Sequence, residues 1–131
     1  MSATRLVLRA EERPGVDERG HECPCERAGC CVLRLDGELD LQTEAGFTAA
    51  LDALLRRGHA KIVLDVRGLN FCSCSGVAAM IAEQRQAEPC GGCLRPVGVH
   101  GPLARILDAA GLVDTFPPYA DLRQACERSV T

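Results

Sequence analysis

The chemically richest stretch of the chain is Phe71-Cys72-Ser73-Cys74-Ser75-Gly76, where thiols and hydroxyls alternate ahead of a glycine. Apolar residues precede it and a helical pattern follows it, so the spacing predicts a strand-to-helix turn. A helix N-terminus presents unpaired backbone N–H groups and a partial positive charge. The folded domain tolerates a phosphate there. The same added charge can disrupt a partner surface by repulsion and desolvation. A thiol at that place has its reactive thiolate form favoured. The turn therefore suits a binding switch, worked either by phosphate on a hydroxyl or by oxidation of Cys74.

Other cysteines form a second group. Cys90-Gly-Gly-Cys93 has CxxC spacing, and Cys23-Pro-Cys25 is one residue short of it. Both pairs are expected in loops at the sheet end opposite the Phe71 turn. Four thiolates there could converge on one zinc ion. The alternative is surface or half-buried thiols without a metal. A redox CxxC opens a helix, whereas Cys90 and Cys93 precede a strand. Cys31, Cys72 and Cys126 fall at core-like positions and read as small hydrophobes.

Enzyme chemistry finds little support. His59 follows Gly58 at a helix end, and His100 precedes Gly101 and Pro102. A nucleophile pair of Cys74 and His100 lacks a third, orienting group. There is neither a P-loop nor a glycine-rich dinucleotide fingerprint. The expectation is a protein that is not an enzyme and needs no cofactor.

The bulk numbers agree. The chain has 131 residues, 47% apolar and 25% charged, with net charge −3. That is the size and composition of one globular domain. Lys61 is the only lysine among 15 basic residues, and the arginines are scattered. With no basic block and 3% aromatic residues, direct nucleic-acid binding is not expected. No apolar run approaches the roughly 20 residues of a membrane span. Met1 to Ala10 lack a signal-peptide pattern, so the expected location is the cytoplasm, with no membrane contact. The nine cysteines then read as reduced thiols or metal ligands.

The elements that must position the turn follow from periodicity. Residues 4 to 10 read as a strand, residues 11 to 29 as a long polar loop, and residues 31 to 36 as a second strand. The two strands would form a hairpin. Thr43 can cap a helix with Phe47, Ala50, Leu51, Leu54 and Leu55 on one face, stopped by Gly58. The continuous apolar run Ile62 to Val66 predicts a central strand covered on both faces. A helix after Gly76 places Val77, Met80, Ile81 and Gln84 on one side. Leu94 to Val99 reads as a strand in which Pro96 marks an edge or a bulge. Pro102 opens a short helix with Leu103, Ile106, Leu107 and Ala110 inward, and Gly111 closes it. Thr115-Phe116 is expected as a short strand and Asp121 to Arg128 as a last helix. This alternation predicts an α/β fold: a mostly parallel mixed sheet with an N-terminal hairpin and helices packed on it. The domain is read as 1–131, with its core at about 31–126.

Three stretches resemble one family. Gly37-Glu38-Leu39-Asp40, the turn Phe71 to Gly76, and Leu107-Asp-Ala-Ala-Gly-Leu112 with Val113 to Phe116 occur in the order and spacing of the STAS domain of bacterial anti-sigma factor antagonists. The resemblance implies an STAS fold and a partner, an anti-sigma factor that is also a serine kinase. In that family the unphosphorylated domain binds this partner and frees a sigma factor, and phosphorylation ends the binding. The family pattern at the turn is Phe-x-Asp-Ser-Ser/Thr-Gly. With Phe71 and Gly76 fixing the register, the Asp falls on Ser73, the phosphoacceptor on Cys74 and the next hydroxyl on Ser75. The resemblance thus implies a partner-binding set of Gly37, Glu38, Asp40, Ser73, Cys74, Ser75 and Gly76, with the phosphoacceptor replaced.

Several readings stay open. Cys74 can make the domain a permanently unphosphorylated antagonist, an oxidant-sensitive switch, or a neutral variant in which Ser75 or Ser73 takes the phosphate. Glu38 and Asp40 can meet basic groups of a partner, or Asp40 can cap the first helix while Gly37 makes a turn. For the chain as a whole, the alternatives are an STAS interaction module in another signalling assembly and a thiol- or zinc-based sensor.

Overall fold

Residues Ile62 to Val66 are all buried, as a strand must be when both its faces are covered. They belong to the longest strand of a computed structural model that describes residues 6–13, 15–16, 22–23, 30–58 and 61–116. The elements are β1 (Leu6–Arg13), β2 (Gly15–Val16), β3 (Glu22–Cys23), β4 (Cys30–Leu39), α1 (Glu44–Arg56), β5 (Lys61–Cys72), α2 (Cys74–Ala87), a 3-10 turn (Glu88–Cys90), β6 (Cys93–Val97) and α3 (Gly101–Ala109). The main sheet has the order β1-β4-β5-β6. β1 runs antiparallel to β4, while β4, β5 and β6 are parallel. This is the expected mixed α/β sheet with its N-terminal hairpin.

One face of the sheet carries the helices. Phe47, Leu51 and Leu54 of α1, Val77 and Met80 of α2, and Leu103 and Leu107 of α3 pack onto Leu33, Leu35, Ile62, Leu64, Val66 and Leu94. Apolar side chains on β5 step by two through Ile62, Leu64 and Val66, then by three to Leu69 and Cys72. Two register shifts against β4 explain the change, one between Arg34 and Asp36 and one between Gly37 and Glu38. Each inserts an extra β5 residue, which turns the next apolar side chain back to the helix face. The long β5 can therefore reach Cys72 with its core side intact.

Several expectations shift. Residues 11 to 29 are not wholly a loop: β1 continues to Arg13, and β2 pairs antiparallel with β3. Gly37 to Leu39 lie inside β4 rather than after it. Gly37 makes no turn but sits at a bulge with φ 121°, a conformation that favours glycine. β6 is indeed an edge strand, and Pro96 within it pairs opposite Leu64. Ala110 is exposed rather than inward, Thr115 and Phe116 form a turn and bend, and Glu83 rather than Gln84 is the buried polar residue of α2. Gln84 instead accepts a hydrogen bond from the amide of Leu94 at 2.7 Å, which ties α2 to β6. The expected helix from Asp121, with Cys126, lies outside the described residues. No described helix is long and apolar enough to cross a membrane.

Candidate functional site

The parallel pairing of β4 with β5 brings two sequence-distant motifs to one sheet end. Glu38 pairs with Phe71 and Leu39 with Cys72. The Ser73 amide then donates to the Leu39 carbonyl at 2.9 Å. One hydrogen bond beyond the ladder thus pins the start of α2 to the end of β4.

Ser73 is the N-cap of α2, with extended backbone at φ −88° and ψ 173°. Its Oγ accepts from the Gly76 amide at 3.2 Å, and Val77 donates to its carbonyl at 3.1 Å. Serine and aspartate are both strong N-caps. Ser73 therefore serves as a capping residue of the kind aspartate also makes. A Ser immediately before a helical pattern is a signal for this cap in the sequence.

The hydroxyls of Ser73 and Ser75 lie 2.9 Å apart and bond to each other, and both residues are half-buried. Cys74, first residue of α2, is exposed. The accessible group at the helix start is therefore a thiol, and the two hydroxyls beside it are engaged. Cys72 is buried behind them; burial, helped by the neighbouring Cys74, pushes its thiol up to about 12. Its Sγ lies 3.6 Å from the Ser73 carbonyl and donates to it. Cys72 thus stays protonated at ordinary pH and belongs to the packing, as does Cys31.

Gly76 is at the tightest approach in the site. A Cβ there would sit 2.9 Å from Leu39 Cγ and 3.0 Å from both Cys72 Sγ and the Leu39 carbonyl oxygen. Only a residue without a side chain lets α2 begin this close to β4 and β5.

The loop after β4 forms the other half. Asp40 Oδ1 accepts from the amides of Gln42 at 3.0 Å and Thr43 at 3.2 Å. This local turn leads into α1. Thr43 stands at the N-cap position but makes no side-chain cap bond to the helix. Its hydroxyl donates to the Glu38 carbonyl at 2.9 Å and accepts from the Asp40 amide at 2.9 Å. Thr43 thereby locks the Glu38–Asp40 corner instead. Leu41 and Phe71 are exposed large hydrophobics on the two motifs, 74% and 42% accessible, and neither was singled out as a site residue from sequence. With Cys74 they give this sheet end an apolar and thiol surface framed by Glu38 and Asp40.

The remaining sequence candidates do not join this site. His100 Nε2 lies 3.0 Å from the Arg67 carbonyl oxygen. An oxygen of that kind only accepts, so Nε2 is the donor and is not placed to take a proton from Cys74. His59 and Cys25 lie outside the described residues, and the side chains of Cys23 and Cys90 are likewise not described. Cys93 is half-buried at the start of β6, where Lys61 pairs with it, at the sheet end opposite Cys72. Among the described residues no group of three His, Cys, Asp or Glu side chains is placed to hold a metal ion.

Comparison with known proteins converges on one family. The family description "Mlab, STAS domain" matches residues 26–118. An anti-sigma F factor antagonist of Paenibacillus polymyxa is 33% identical over 92 residues, which cover 70% of this chain and 79% of that protein. The crystal structure of an anti-sigma factor antagonist from Mycobacterium paratuberculosis superposes with TM-score 0.72 at 24% identity, over 95% of both chains. The anti-sigma factor antagonist SpoIIAA in its unphosphorylated form gives TM-score 0.63 at 20% identity, over 72% of this chain and 83% of that one. With its sheet order, its glycine-tight turn and these matches, the chain belongs to the STAS domain family.

Proposed function

We propose that this domain is an anti-sigma factor antagonist that binds an anti-sigma factor serine kinase in the cytoplasm and so frees a sigma factor. The recognition surface is the sheet end formed by Gly37, Glu38 and Asp40 together with Ser73, Cys74, Ser75 and Gly76. Leu41 and Phe71 add apolar contact area there, of the kind that anchors protein interfaces. The domain acts by binding and not by catalysis.

One observation carries the reading further. The exposed residue at the helix start is Cys74, while the hydroxyls on either side of it bond to each other. A kinase specific for hydroxyls has no substrate at position 74. The two serines would have to break their mutual bond and leave a half-buried position to react. The binding-competent form is therefore permanent with respect to that kinase, and control must act elsewhere.

The test is a pull-down of the cognate anti-sigma factor by wild type, Cys74→Ser and Cys74→Asp. Wild type and Cys74→Ser are expected to bind equally, and Cys74→Asp to lose binding because a fixed negative charge occupies the centre of the surface. Undiminished binding by Cys74→Asp would show that the turn is not the recognition surface.

A further inference from the structure

The sheet face away from the helices carries a charge cluster that partner binding at the turn does not use. Arg9, Arg34 and Asp65 lie side by side in one cross-strand row of β1, β4 and β5. Arg67 adjoins them two residues further along β5. With Asp36 and Gly68 they line a cavity of about 270 Å³, near the small end for ligand pockets.

The charges in this cavity are unevenly matched. Arg67 Nε and Nη2 each donate to the Asp65 carboxylate at 2.9 Å, a fork-to-fork pair. Those bonds hold Asp65 below its ordinary value despite its burial, so it is charged and committed to Arg67. Arg34 makes only long contacts, 3.9 Å to Asp65 and 3.8 Å to Glu11. Arg9 is exposed and forms no ion pair among the described residues. It stands directly opposite Arg34, and like charges opposed across a strand pair are unfavourable. An anion between the two guanidinium groups would reverse that penalty, and guanidinium forks match phosphate and carboxylate geometry. Gly68 lets the Asp36 carboxylate lie against β5: a Cβ there would collide with it. Asp36 lines the wall beside the two arginines, where its charge opposes a bound anion.

We propose that this cavity binds a small oxyanion, a phosphate or carboxylate group of a low-molecular-weight ligand, between Arg9 and Arg34. The proposal stands independently of the partner assignment.

The test is thermal unfolding of the full chain titrated with inorganic phosphate and, separately, citrate, against chloride at matched ionic strength. A ligand bound by the native state raises Tm with the logarithm of its concentration once that exceeds Kd, whereas excluded salts raise it without such curvature in any protein. Wild type is expected to show the logarithmic rise with at least one of the two anions. Which of them works separates a phosphate site from a carboxylate site. Arg9→Gln, a change at an exposed strand position, should weaken the apparent affinity about tenfold, the loss of one charge-assisted contact. Asp36→Asn should strengthen it severalfold by removing the opposing charge. An absent rise, a rise without logarithmic curvature, or one that neither substitution alters, overturns the proposal.

Discussion

The amide of Ser73 and the carbonyl of Leu39 are joined by a 2.9 Å hydrogen bond, and through it the end of β4 sets where α2 begins. The pairing of Leu39 with Cys72 brings the two residues together, and the missing side chain at Gly76 lets the helix settle against them. The position of Cys74 on the surface is thus a consequence of backbone geometry at three neighbouring residues.

Gly76→Ala tests that close approach. Alanine gains about 1 kcal/mol of helix propensity over glycine. The new methyl would lie 2.9 Å from Leu39 Cγ and 3.0 Å from the Leu39 carbonyl oxygen, and overpacking costs about 1–3 kcal/mol. Contact with backbone is hard to relax, so the cost wins. Urea unfolding should show a lower midpoint for Gly76→Ala; an unchanged or higher midpoint means that α2 is less tightly seated than described.

Ser73→Ala removes the N-cap oxygen that accepts from Gly76. The expected loss is about 1 kcal/mol, read from the same unfolding curves. Ser73→Asp restores an acceptor and adds a charge that suits a helix N-terminus, so it should be at least as stable as wild type. If Ser73→Asp falls with Ser73→Ala, the hydroxyl matters for its bond to Ser75 and not for capping.

Much of this was legible in the sequence, for particular reasons. The run Ile62 to Val66 announces a central strand because its apolar residues fall on both faces, as in a strand covered on each side, with Asp65 the one exception. Pro96 announces an edge or a bulge because it cannot donate to a ladder, and β6 is at the edge. Other features have no local signature. Gly37 follows an alternating apolar pattern and looks like a turn, but its ladder partner Leu69 comes from another part of the chain. Thr43 looks like a helix cap, and its hydroxyl is drawn instead to Glu38 and Asp40 by the way β4 ends. Gln84 reads as the polar residue on the packed side of α2, yet Glu83 is the buried one, beside Asp52 of α1. At the site, the departures from the family pattern were visible, whereas the engagement of Ser73 with Ser75 needed the three-dimensional turn.

Glu83 gives the protein a pH dependence of definite sign. It is 1% exposed, and Oε1 of Glu83 and Oδ1 of Asp52 have no hydrogen-bond partner. Burial, then the hydrogen bond and charge of Asp52, pushes the Glu83 carboxyl from 4.5 up to about 7. The folded state therefore holds a proton that the unfolded chain releases. The stability this contributes is fully present below pH 4.5 and is lost as pH rises through about 7. Asp65 has the opposite sign: its value is lowered below 3.8, so its contribution fades only in stronger acid. Tm curves of wild type and Glu83→Gln should diverge as pH rises through this window, with the variant the more stable above it. Parallel curves would show that Glu83 ionises freely in the folded state.

The central claim is that the exposed thiol of Cys74 removes this domain from kinase control, and phosphate incorporation tests it most directly. Wild type and Cys74→Ser are each incubated with the cognate anti-sigma factor and ATP, and the intact masses are measured. The account predicts one added phosphate on Cys74→Ser, located at position 74, and none on wild type. Phosphate on Ser73 or Ser75 of the wild-type chain would contradict it.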